Sequence, residues 1–121
     1  MKKFLIVDDS SYMRDVIKIS INKFNVEIVG EASNGKKGVE LYKKLMPDIV
    51  IMDFFMDEEN GLEALGEIMN HNSNAVVIMV SSAAEQGPIA KEAISLGVKK
   101  IFRKPLDKTM FEYYVDELLC E

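Results

Sequence analysis

Three carboxylates, a pair of hydroxyls and one ammonium stand where short apolar runs give way to polar residues. Phe4-Leu5-Ile6-Val7 ends in Asp8-Asp9-Ser10, Ile49 to Met52 ends in Asp53, Val76 to Val80 ends in Ser81-Ser82, and the Val98, Ile101, Phe102 group ends in Lys104-Pro105. Three carboxylates brought together repel one another, so such a site either raises a pKa or binds a cation. An all-oxygen donor set favours a hard ion, and a partly hydrated Mg²⁺ held by one or two carboxylates is the usual intracellular choice. That would leave one carboxylate, backed by a hydroxyl and an ammonium, free to act on an anionic group such as a phosphoryl. Carboxylates are nucleophiles in phosphoryl transfer and form acyl phosphates, with Mg²⁺ and lysine balancing charge on the transferring oxygens. Asp53 is the nucleophile candidate, because it alone of the three closes a central apolar run by itself. Asp8 and Asp9 form a pair suited to holding the ion.

These residues converge only if the apolar runs are neighbouring parallel strands, and the rest of the chain supplies the elements for that. A fifth, weaker strand is read at Val26-Glu27-Ile28-Val29, whose charged position suits a place nearer the sheet edge. Between the strands lie helical patterns. Met13, Val16, Ile17, Ser20, Ile21 and Phe24 repeat at intervals of three and four, as do Phe111, Tyr114, Val115 and Leu118. Asn34 and Asn60 are placed to cap helix starts, and Pro47, Gly97 and Pro105 punctuate ends. Regular alternation of strand and helix predicts parallel pairing through right-handed crossovers, hence a three-layer α/β sandwich. The carboxyl ends of its strands then lie on one edge, where such folds bind ligands.

Length and charge narrow the function classes. The 121 residues fit one domain, spanning 1–121. Twenty acidic against 15 basic side chains give a formal charge of −5, which argues against binding to nucleic acid or an anionic membrane. The single cysteine, Cys120, makes no internal disulfide. No apolar stretch is long enough to span a bilayer, and a soluble, cytoplasmic monomer is expected. Gly30, Gly35 and Gly38 do not form a dinucleotide-binding fingerprint, and no phosphate-binding Gly-Lys-Ser/Thr loop follows a strand.

Val7-Asp8-Asp9-Ser10, Asp48 to Asp53 followed by Gly61-Leu62-Glu63-Ala64-Leu65, Met79-Val80-Ser81 and Lys104-Pro105 together resemble the receiver domain of two-component response regulators. The resemblance covers essentially the whole chain, and Val-Asp-Asp-Ser-Ser-Tyr-Met-Arg is similar to the chemotaxis regulators of the CheY and CheB type. It implies a five-stranded parallel sheet in the order 2-1-3-4-5 flanked by five helices, the flavodoxin-like sandwich. It further implies that Asp53 accepts a phosphoryl group from a phosphohistidine of a sensor histidine kinase. Asp9 and Asp53 would ligate Mg²⁺ directly, Asp8 through water, and the Phe55 carbonyl would add a ligand. Lys104 would pair with the phosphoryl group, and Ser81 would hydrogen-bond it and move, coupling the event to the face of helix 4, strand 5 and helix 5. The Lys104-Pro105 bond is expected to be cis. On this reading the chain is a signalling module and not an enzyme, acting on a downstream protein target such as a flagellar motor or another chemotaxis protein. A phosphorelay intermediate, a receiver excised from a longer regulator, and a phosphorylation-independent adaptor are the alternatives.

The sequence departs from the family pattern at several points. Met56 is followed by Asp57-Glu58-Glu59 where the family usually has a proline, and this run reads as a solvated loop. Phe55 places an apolar group two residues after Asp53, where an aspartyl-phosphate hydrolase would need a second acid; it is expected to shield an acyl phosphate from water. Ile101 occupies the position of the switch aromatic, with Phe102 beside it facing the core, so aromatic rotation is in doubt as the output mechanism. Ser82 competes with Ser81 as the switch hydroxyl, Ser81 being favoured because it directly ends the apolar run. His71 reads as an exposed loop residue after the third helix, and Lys99, Lys100, Arg103 and Lys104 as a solvated strand flank. Met13, Met52, Met79 and Met110 read as core, while of Tyr113-Tyr114 one ring should pack inward and the other face solvent.

Overall fold

The structure is a computed structural model that describes residues 1–54, 60–81 and 87–120. Five strands alternate with five helices: β1 (Lys2–Val7), α1 (Ser11–Ile21), β2 (Val26–Ala32), α2 (Gly35–Leu45), β3 (Ile49–Asp53), α3 (Gly61–His71), β4 (Val77–Ser81), α4 (Gly87–Leu96), β5 (Lys100–Arg103) and α5 (Lys108–Leu119). The strands form one parallel sheet in the order β2-β1-β3-β4-β5, as expected, with the half-polar β2 at an edge. Val98 lies before β5, and His71 is the last residue of α3 rather than part of the loop beyond it.

Period two along the strands divides the core into two layers. Leu5, Val7, Val50, Met52, Val77 and Met79 face the layer filled by α2, α3 and α4, where Tyr42, Leu65, Ile68 and Ala93 are buried. Phe4, Ile6, Ile49, Ile51, Ile78 and Val80 face the other layer, closed by Ile17 and Ile21 of α1 and by Phe111, Val115 and Leu118 of α5. The three central strands are therefore apolar on both faces, which is why they read as continuous runs.

The helices start where their caps stand. Ser10, Asn34, Asn60 and Asp107 each accept a hydrogen bond from a backbone N–H three residues on, and Asn60 with Glu63 completes a capping box. Helix α2 ends in a left-handed Met46 just before Pro47, and Gly97, at φ 104°, follows α4. The Lys104-Pro105 peptide is cis. Met52 and Met79 are buried and Met13 packs at the core margin, but Met110 is exposed, against expectation. The buried stripe of α5 is Phe111, Val115 and Leu118, and Met110 falls about 100° away from Phe111 around the helix. Tyr114 packs inward against Phe102, while Tyr113 is exposed.

One glycine lets the third helix abut the sheet. A Cβ on Gly61 would lie 2.5 Å from the Asp53 carbonyl oxygen and 2.8 Å from the Phe54 Cα, and the Gly61 N–H donates to the Phe54 carbonyl at 2.8 Å. The obstacles are backbone atoms that cannot rotate away. Gly66, inside the same helix, has open space, its nearest neighbour being Leu96 at 4.0 Å. Gly61→Ala should therefore destabilise the fold by about 1–3 kcal/mol, whereas Gly66→Ala should stabilise it by about 0.5–1 kcal/mol. Urea midpoints of the two variants on either side of the parent check this opposition.

Candidate functional site

The sheet register brings the acidic residues together. Val7 is paired with Met52 across β1 and β3, so the next residues, Asp8 and Asp53, emerge side by side from the carboxyl edge. Asp9 follows in the turn that leads to the Ser10 cap, and one carboxylate oxygen from each of Asp8, Asp9 and Asp53 lies within 4.8 Å of the others. Lys104, just past β5, reaches back over the sheet edge. Its Nζ is 3.3 Å from Asp8 Oδ2 and 3.3 Å from Asp53 Oδ2. Its backbone N–H donates to the Ser81 carbonyl at 2.9 Å, fixing β5 to the end of β4 at the same edge.

Asp8 is held at every polar atom. Its N–H donates to the Ala32 carbonyl at 3.0 Å, its Oδ1 accepts from the Ser10 N–H at 2.9 Å, its Oδ2 receives Lys104, and its carbonyl accepts from Arg14 Nη1. That completeness is what a carboxylate with 1% of its surface exposed requires. Asp53 is 5% exposed, whereas Asp9 is open to solvent.

Burial dominates the electrostatics. Desolvation pushes the Asp53 carboxyl up to about 6, the neighbouring Asp8 charge adds to the rise, and Lys104 offsets part of it. The Asp8 carboxyl is also raised by burial, against the Ser10 hydrogen bond and the Lys104 charge. Among the described residues one ammonium, paired with Asp8 and Asp53, stands against a cluster of three carboxylates, which leaves the site short of positive charge. Its donors are all hard oxygens, two of them on buried side chains, and the cluster fits a small divalent cation of the Mg²⁺ class.

Of the residues singled out in the sequence, Asp8, Asp9, Asp53 and Lys104 are brought together, and Ser81 lies fully buried at the end of β4 beside them. Phe55, the Asp57-Glu58-Glu59 run and Ser82 lie outside the described residues. The basic group is split, since Lys104 turns into the site while Lys99, Lys100 and Arg103 stay exposed. Sequence reading missed Arg14, which bonds to the Asp8 carbonyl and to Glu31. A signal was present, because Arg14 is the fourth residue of α1, where the positive end of the helix dipole disfavours a cation.

Comparison with known proteins places the arrangement. The model of the response regulator receiver domain matches residues 4–115. The chain is 46% identical over 104 residues to the chemotaxis protein CheY of Thermotoga maritima, covering 86% of each. Its fold superposes with a TM-score of 0.91, at 29% identity, on the crystal structure of the CheX–CheY–BeF3–Mg²⁺ complex from Borrelia burgdorferi, over 98% of this chain and 89% of that one. The response regulator domain of Thermotoga maritima CheB gives a TM-score of 0.82 at 38% identity, over 98% and 91%. With the acidic cluster, the lysine and the 2-1-3-4-5 sheet in the positions this family's motifs imply, the chain belongs to the response regulator receiver domains and is CheY-like.

Proposed function

We propose that this chain is a phosphorylation-switched signalling module whose phosphoryl acceptor is Asp53. The observation that carries the reading is the single ammonium of Lys104 held 3.3 Å from both Asp8 and Asp53 at the edge of a crowded carboxylate cluster. In the proposed step an Asp53 carboxylate oxygen attacks the phosphorus of a phosphohistidine on a sensor histidine kinase. The new O–P bond forms as the P–N bond breaks, and the imidazole leaves with the electron pair and takes a proton from solvent. Lys104 follows the charge from carboxylate to phosphoryl oxygen, and the buried Ser81 hydroxyl serves as a hydrogen-bond partner for a second oxygen. Asp9 and Asp53 would hold Mg²⁺ directly, with Asp8 through water and the Phe55 carbonyl as a further ligand; the ion's contribution when bound is neutralisation of this concentrated negative charge.

The output on this reading is a change in partner binding at the α4, β5 and α5 face, of the chemotaxis type, and the protein is not a turnover enzyme for an external substrate. Support comes from the CheY relatives and from the Borrelia structure, in which CheY is complexed with CheX, BeF3 and Mg²⁺. Among the described residues no helix is long and apolar enough to cross a membrane, which fits a module of this kind. Incubation with a small acyl-phosphate donor and Mg²⁺ should add one phosphoryl group to the intact mass. Asp53→Asn, or chelator, should abolish the adduct; an adduct retained by Asp53→Asn would overturn the assignment.

The same charges leave a signature in stability. Because burial raises the Asp53 carboxyl to about 6 from an ordinary 3.8, the folded state holds a proton that the unfolded state releases between those values. Stability from this group is therefore greatest in acid and is lost as pH rises through about 6. In chelator at neutral pH, Asp53→Asn should be more stable than the parent by about 1–3 kcal/mol. The gain should vanish below about pH 4, where both states of the parent are protonated. Saturating Mg²⁺ should narrow the neutral-pH gap by stabilising the parent more than the variant. Urea unfolding followed by circular dichroism across pH, with and without Mg²⁺, reads all three terms; equal stability of the two proteins at neutral pH in chelator would contradict them.

A further inference from the structure

Arg14 is 18% exposed and makes two bonds in different directions from one guanidinium. Its Nη1 donates to the carbonyl of Asp8, the oxygen of the peptide that joins Asp8 to Asp9. Its Nε donates at 3.0 Å to Glu31 Oε1, on the edge strand β2. The other oxygen of Glu31, Oε2, accepts from Lys18 at 2.9 Å, and Lys18 is paired in turn with Asp15 at 3.2 Å. The bonds from Lys18 and Arg14 hold the Glu31 carboxyl below its ordinary value. The guanidinium is thus fixed between α1 and β2, with one edge on the backbone that carries two of the three clustered carboxylates.

We propose that Arg14, anchored by Glu31, is a positioning residue that fixes the Asp8–Asp9 peptide so that the two carboxylates keep the spacing a divalent cation needs. The inference rests on the cation-site reading above. It differs from a charge effect in its mechanism and in its sign. Asp8 has a buried side chain fastened at both oxygens, but Asp9 is solvent-exposed, and its placement depends on the peptide plane before it. That plane is pinned at its oxygen by Arg14. A lysine would keep the charge yet could not make both bonds, because its donors sit on one nitrogen and not on a planar fork.

The sign separates the explanations. Removing a nearby cation tightens cation binding if Arg14 acts only through its charge, and weakens it if Arg14 acts by positioning. Amide chemical shifts of the full chain during Mg²⁺ titration give the dissociation constant for the parent, Arg14→Ala, Arg14→Lys and Glu31→Gln. The expected result is binding about 10-fold weaker in Arg14→Ala and weaker also in Arg14→Lys, as for other groups that orient metal ligands. Glu31→Gln should weaken binding less, and adding it to Arg14→Ala should cost little more, since the two act in series. In acyl-phosphate reactions the Mg²⁺ concentration for half-maximal phosphorylation of Arg14→Lys should rise while its plateau rate stays near the parent's. Unchanged or tighter binding in Arg14→Lys overturns the proposal, and that variant retains the charge and stem if Arg14→Ala does not fold. An absence of Mg²⁺-dependent shifts in the parent would instead overturn the cation-site reading, and this inference with it.

Discussion

Asp8 and Asp53 are carboxylates buried at the end of an apolar sheet, and much of the surrounding structure follows from keeping them there. Desolvating an ionised carboxylate costs several kcal/mol even after relaxation, while a fully buried large apolar side chain contributes about 1.5–3 kcal/mol. Strands β1 and β3 hold Phe4, Leu5, Ile6, Ile51 and Met52 essentially inaccessible to solvent, and this burial works against the desolvation cost of the two carboxylates at their tips. What the core cannot do is satisfy the carboxylates' oxygens, and here the polar fittings enter. Ser10, Lys104, Arg14 and the Ala32 carbonyl each take one polar atom of Asp8. The pressure that remains is visible in the raised Asp53 carboxyl, and it is the kind of pressure that a bound cation relieves.

The parity of the strands explains why these groups meet. Phe4 and Ile6 of β1, Ile49 and Ile51 of β3, and Phe102 of β5 all point to the layer closed by α1 and α5. Two residues beyond each of Ile6, Ile51 and Phe102 stand Asp8, Asp53 and Lys104, so the alternation that packs the core also aligns the site. A one-residue slip of β3 against β1 would send Asp53 to the opposite layer and separate it from Asp8. The site is therefore as well specified as the hydrophobic register beneath it, and the register is fixed by side chains that never touch a ligand.

This is also why so much was legible in the sequence. Runs such as Val76 to Val80 could be read as buried strands because both faces are covered, and their polar ends followed directly. The weaker pattern at Val26 to Val29 was legible as an edge for the converse reason, one side of its pairing being open. The strand order itself came from the resemblance, since patterning says nothing about which parallel strand lies next to which. Met110 misled because composition does not distinguish a helix position one residue off the buried stripe from one within it. Arg14 stood out only as a cation near the start of α1, and its bonds were not legible for a different reason. Its partner Glu31 is 17 residues away on another element, and the bond depends on how β2 lies along β1, including the shift between Phe4 and Leu5 that no local pattern encodes. Gly61 looked like part of a helix start, and only the distance from its missing Cβ to the Asp53 carbonyl shows why a side chain would not fit.

For the signalling role, the constraint on β5 is the informative one. Ile101 packs toward the layer of α2, α3 and α4, and Phe102 toward α5. Ile101 has no ring to rotate. Phe102 has one, but it meets Phe111 and Tyr114 edge-on, at centroid distances of 5.4 and 5.5 Å, with the Lys100 ammonium 5.9 Å from its centre. Turning that ring would forfeit two aromatic contacts of about 0.5–1.5 kcal/mol each. A shift of the strand that kept the aromatic cluster intact would avoid that cost. Lys104 gives such a shift a handle, because its ammonium answers to the charge on Asp53 while its backbone is bonded to Ser81. On the proposed reading, a change of charge at Asp53 would act on the ends of β4 and β5 together and would reach α5 through the contacts of Phe102 with Phe111 and Tyr114.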